Sequence, residues 1–197
     1  MAPVVPDPDR IRAFATSAEF EAWVAANHDR ERELWLRIYK KGSGVATVTY
    51  AEAVDVGLCW GWIDGLKKSW DDASFLQRFT PRGPKSLWSQ LNREHVARLE
   101  AAGRMTPFGA VHVAAAKADG RWEAAYAGGR DMEVPADLLA AIEADPAASA
   151  TFRTLDRANR YAIIWRVHTL KTAAGRAKRI AATVAELARG VVPHPKA

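Results

Sequence analysis

Ten residues between Trp60 and Asn92 carry the side chains best suited to hold a ligand: Trp60, Trp62, Asp64, Lys67, Arg78, Arg82, Lys85, Ser86, Trp88 and Asn92. Four of the eight tryptophans fall in this stretch, counting Trp70, and charged groups are interleaved with them. A segment both aromatic and charged is not built for core packing alone. Guanidinium groups offer paired donors to a carboxylate or phosphate, and flat indole faces suit a ring or a cation. With Arg78 and Arg82 at a strand end, Lys85 after them and Ser86 read as the cap of the next helix, the spacing predicts a face for a small anionic or aromatic ligand. The competing reading pairs these arginines with Asp64, Asp71 and Asp72 across a hairpin.

Other chemistries fit less well. Asp71 and Asp72 sit where a turn is expected, and aspartates there usually form the turn itself. His95 shares helical spacing with Trp88 and Leu91, and Ser86 and Ser89 lack the context of an activated nucleophile. An enzyme of unknown reaction ranks third, and no catalytic residue is assigned. The five histidines show no metal-ligand spacing, so neither a metal nor a cofactor is expected. Gly42-Ser-Gly44 lacks any phosphate-loop spacing and reads as a plain loop.

The elements that must position these groups are signalled locally. Thr16-Ser-Ala-Glu19 and Thr49-Tyr-Ala-Glu52 match capping boxes, each opening a helix. Residues 34–40 alternate with period two, placing Leu34, Leu36 and Ile38 on one face and Trp35, Arg37 and Tyr39 on the other. Residues 63–68 and 74–79 read as a hairpin around Asp71-Asp72. Trp88, Leu91, His95 and Leu99 then follow helical spacing, and Thr106-Pro107 opens another helix that stops at Asp119-Gly120. After Gly128-Gly129 every signal is helical, with starts at Pro135, Asp145-Pro146, Asp156 and Thr172. Tyr161, Ile164, Trp165 and His168 share one side of the third of these helices, and residues 191–197 read as a frayed tail. The expected fold is α+β: a small antiparallel sheet covered by helices over residues 10–127, and an all-helical C-terminal domain over 134–190.

Bulk properties set the partners. The chain has 197 residues, 49% apolar and 26% charged, with no apolar run long enough to span a membrane. The N-terminal residues lack the pattern of a cleaved export signal, and Cys59 is the only cysteine, so a cytoplasmic location is expected. The net charge of +5 is uneven. Residues 151–190 hold nine Lys/Arg against Asp156 and Glu186, a balance of +7, which leaves −2 for the rest. That basic end makes nucleic acid the second candidate partner.

Tyr50-Ala-Glu-Ala53, Gly61-Trp-Ile-Asp-Gly65, Phe79-Thr-Pro-Arg82, Ser86-Leu-Trp-Ser89 with Asn92, and Gly103-Arg-Met105 together resemble the YdeI/OmpD-associated, or bacteriocin-protection, family. Ala162-Ile-Ile-Trp165 and Lys171-Thr-Ala-Ala-Gly-Arg176 with Arg179-Ile180 extend the resemblance over about 10–190. One departure is Leu170-Lys171, where the family usually has an Ala-Lys pair. The resemblance implies stress resistance of the antimicrobial-peptide or envelope type, and carries over no catalytic residue.

Overall fold

The computed structural model describes residues 4–127, 132–170 and 172–195. It divides into two compact units, one reaching Ala125 and the other starting at Tyr126. The boundary expected at Gly128-Gly129 lies outside the described residues, as does Lys171.

In the first unit the chain runs β1 (Ile11–Arg12), α1 (Ser17–Asn27), β2 (Leu34–Tyr39), α2 (Tyr50–Cys59), β3 (Trp62–Ser69), β4 (Ser74–Pro81), α3 (Gln90–Ala101) and α4 (Pro107–Ala118). The fold is α+β, as the sequence patterns require. The sheet order is β1-β2-β4-β3, with β2–β4 and β4–β3 antiparallel. Two-residue β1 adds a parallel edge to β2, which makes the sheet mixed. It follows a 3-10 turn at Pro8–Arg10, where an extended lead-in was expected.

Local chemistry fixes the helix starts. Thr49 caps α2 and Glu52 returns its carboxylate to the Thr49 N–H at 2.8 Å, a complete capping box. Thr16 caps α1, but Glu19 reaches one residue further back, to the Ala15 N–H at 2.9 Å. Thr106 caps α4 with Pro107 in its first turn. Helix α3 departs from expectation. Ser89, not Ser86, is its cap, and accepts the Asn92 N–H at 3.0 Å. Ser86 instead closes a turn, its hydroxyl accepting the Gly83 N–H while its own N–H donates to the Gly83 carbonyl. The apolar face rotates accordingly: Val96 and Leu99 are buried, whereas Leu91 is 54% exposed.

Phe20, Leu34, Leu36, Val56, Trp62 and Phe79 form the centre of one core, and Cys59, Trp88, Leu99, Val113 and Trp122 belong to a second. Trp35, expected on the outer face of β2, is also fully buried. Its register partner Arg78 sets a guanidinium 6.0 Å from its ring, so this face too is closed. Between Asp64 and Lys67 the β3–β4 register shifts, and Gln77 secures the irregular backbone by donating to the Gly65 carbonyl at 2.9 Å.

The second unit holds α5 (Ala136–Glu143), α6 (Pro146–Thr154), α7 (Arg157–His168) and α8 (Ala173–Ala188) around Leu138, Ile142, Phe152, Ile163, Val167 and Leu187. Asp145, Asp156 and Thr172 cap α6, α7 and α8. The buried side of α7 is Asn159, Ile163, Ile164 and Val167, so of the expected group only Ile164 is core. The tail is tethered rather than frayed at His194, whose backbone N–H and C=O both bond the buried Asn159 amide.

Candidate functional site

The Gly61-Trp-Ile-Asp-Gly65 segment leaves the end of α2 and forms the start of β3. Gly61 adopts φ +73, and a Cβ there would lie 2.6 Å from His112 and 2.8 Å from the Phe108 carbonyl oxygen, so only glycine fits. Trp62 turns inward, 1% exposed and edge-on to Trp23. Asp64 then faces α2, where the Tyr50 hydroxyl donates to it at 2.6 Å. Past the register shift, Lys67 holds its ammonium 4.1 Å from the centre of the Phe75 ring.

Tyr50 and Phe75 are themselves walls of a mostly apolar cleft of about 790 Å³, between the end of β2, the 40–49 loop and the start of α2. Ile38, Tyr39, Val45 and Thr47 are among its other lining residues. Tyr39 carries the Arg37 guanidinium 4.7 Å from its ring. Lys40 ties the hairpin to this edge by donating to the carbonyls of Asp71 and Asp72, and exposed Lys41 stands at the rim. Aromatic walls with cations beside them accept a flat or apolar body bearing negative charge.

The ten residues singled out from the sequence do not share one face. Asp64 and Lys67 buttress the cleft. Trp88 is 2% exposed and edge-on to Trp122 in the second core. Arg82, 3% exposed, lies 3.7 Å from the centre of the Trp88 ring and donates to the Leu87 carbonyl at 3.0 Å. Burial, and then the charges of Arg82 and Arg121, hold the His112 pKa below its ordinary value. Arg121 donates to the Ser86 carbonyl at 2.9 Å, which builds Ser86 into this basic knot. Lys85 is exposed in the preceding turn, and half-buried Asn92 sits in the first turn of α3. Trp60 caps the end of α2, donates to Glu21 at 3.3 Å and stacks on Phe108. Arg78 pairs with Glu33 at 2.6 Å rather than with a hairpin aspartate. Asp71 takes Arg37 instead, also at 2.6 Å.

Two groups had no clear signal in the sequence. Tyr50 stood in a quoted motif, yet its role depends on Asp64 fourteen residues on. Asp55, His95 and Arg98 form a polar knot, with His95 Nδ1 and Arg98 each 2.7 Å from the Asp55 carboxylate. Burial alone would raise the Asp55 pKa; the bonds from Arg98 and His95 outweigh it and hold the carboxyl below its usual range. Among the described residues no cluster suits a metal ion.

Residues 12–112 match a domain of unknown function (DUF8412), and residues 131–190 match the family described as bacteriocin-protection, YdeI or OmpD-associated. The C-terminal stretch is thus similar to the YdeI/OmpD-associated family, the one its motifs resemble. Its family match falls on α5–α8, whereas the cleft and all ten sequence-selected residues lie within the DUF8412 match. The match over residues 131–190 suggests a stress-related function of the bacteriocin-protection type. No curated protein and no solved structure matches the chain.

Proposed function

We propose that the protein is a cytoplasmic stress-protection factor that binds a small aromatic or apolar anion in the cleft framed by Tyr39, Tyr50 and Phe75. The carrying observation is the cleft itself: about 790 Å³ with three aromatic walls, and with cations set against two of them. Lys41 and Lys67 supply positive potential for a carboxylate or phosphate, while the rings cover the apolar body. The carboxylate of Asp64 engages the Tyr50 hydroxyl, which fixes that ring as a wall. The site therefore moves from the Arg82–Ser86 corner to the other end of the sheet, because Arg82 is enclosed against Trp88. The family match over residues 131–190 supports the protective role, and the lone free Cys59 suits the cytoplasm.

A thermal-shift series with benzoate, phenyl phosphate and adenosine monophosphate tests this reading. A ligand at a hundred times its Kd stabilises by about 2.7 kcal/mol, a readily measured shift. At least one probe should raise Tm in the natural protein. Val45→Asp, which sets a negative charge in the cleft wall, should abolish the rise, and Lys67→Ala should weaken it. No shift with any probe, or a shift unaltered by Val45→Asp, refutes the assignment.

A further inference from the structure

The basic C-terminal segment does not present its charge where the sequence suggested. On α8, Arg176 is committed to Asp137, with bonds of 2.6 and 2.7 Å, and also donates to the Val167 carbonyl. Helix α7 is different. Arg157, Tyr161, Trp165 and His168 recur at helical spacing on the side away from buried Ile163 and Val167. Trp165 is 37% exposed and is followed by exposed Arg166. At the start of α7 this stripe opens into a cleft of about 340 Å³ lined by Leu155, Arg157, Arg160, Tyr161 and Ile164. Arg160 is steadied there by the Arg153 carbonyl and the Phe152 ring, while its Nε is shielded from solvent with no acceptor. Among the described residues, no carboxylate lies within 4.0 Å of Arg153, Arg157 or Arg166.

We infer that this face of α7 binds single-stranded nucleic acid, with phosphates on Arg157 and on Arg153 at the end of α6, and unpaired bases stacked on Trp165 and Tyr161. Rings beside arginines that pair with no carboxylate among the described residues form a stacking platform inside a positive field, the arrangement that tracks a single strand with little sequence preference. A duplex hides its base faces and leaves such rings unused. A lipid surface is a poor match, because an interfacial helix lays an apolar face outward and α7 buries its own.

Fluorescence anisotropy of the full chain with a labelled oligo-dT, and with a duplex of equal length, tests the inference at 50 and 200 mM salt. The single strand should bind tighter than the duplex. Trp165→Ala should weaken it by about tenfold, the loss expected for one stacked base, whereas Trp165→Phe should retain most of the affinity. Arg157→Ala should lower the slope of log K against log salt by about 0.7, one phosphate contact on a single strand. Both positions are exposed, and an unchanged melting temperature will show that the variants are folded. Absence of binding at 50 mM salt, equal duplex binding insensitive to Trp165→Ala, or capture by phosphatidylserine vesicles but not by oligonucleotide would each overturn it.

Discussion

Three glycine-to-alanine substitutions separate backbone strain from crowding where α2, the motif segment and α4 meet. Gly103 has φ +66 and open space around its missing Cβ, so Gly103→Ala carries only the left-handed penalty, about 1–2 kcal/mol. Gly61 has the same backbone problem, and its Cβ would also sit 2.6 Å from His112 Cδ2 and 2.8 Å from the Phe108 oxygen. Overpacking typically adds about 1–3 kcal/mol, so Gly61→Ala should cost roughly 3–4 kcal/mol. Gly109 lies inside α4, where no positive φ applies, but its Cβ would come 2.3 Å from the Cys59 oxygen and 2.5 Å from the Leu58 oxygen. Backbone oxygens cannot rotate aside, so α4 must move off α2. Part of that cost is returned as helix propensity, about 1 kcal/mol, leaving roughly 2 kcal/mol. Urea unfolding followed by tryptophan fluorescence, with Trp62 and Trp88 as buried reporters, gives the three values from midpoint shifts at constant slope. If Gly61→Ala costs no more than Gly103→Ala, the claimed approach of α4 to the Gly-Trp-Ile-Asp-Gly segment is wrong.

Asp55 should impose an acid dependence. Its folded pKa lies below the unfolded value, so its contribution is complete at neutral pH and is lost as the pH falls below about 4 and through the folded pKa; Asp55→Asn should flatten that part of the stability–pH curve. Thr49→Ala removes the side-chain half of the α2 capping box, the hydroxyl that accepts the Glu52 N–H, and should cost about 1 kcal/mol by urea unfolding, a loss that Thr49→Ser largely avoids. Replacing Asn159 with Ala leaves the His194 backbone groups without their partner, so hydrogen exchange at His194 should accelerate and the second unit should lose about 1–2 kcal/mol.

Local chemistry was the legible part of the sequence. Thr16, Thr49, Thr106, Asp145, Asp156 and Thr172 all cap helices in the structure because a cap depends on residues within one turn. Ser86 and Ser89 show the limit of that logic: either serine could cap, and the turn closed onto Gly83 assigned the role to Ser89. Strand β1 was hidden because two residues carry no period, and only pairing with β2 makes them a strand. The site residues were legible as types and not as partners. Arg82 and Arg78 read alike, yet one is enclosed over Trp88 and the other reaches Glu33, forty-five residues back. The walls at Tyr39 and Phe75 resembled ordinary strand aromatics, since nothing in β2 or β4 announces that the 40–49 loop stands off from them.

The solitary thiol turns the α2–α4 junction into a clock. Cys59 is fully buried, and burial pushes its pKa up to about 11, so at neutral pH it is both sealed and protonated. Its carbonyl is also clasped by the Thr106 backbone N–H and, at 2.6 Å, by the Thr106 hydroxyl. A thiol reagent can therefore react only during moments when this junction parts, and the single modification event dates the first opening in each molecule. With no second cysteine to capture it, the rate of labelling reads how often α4 lifts from α2, without any engineered probe.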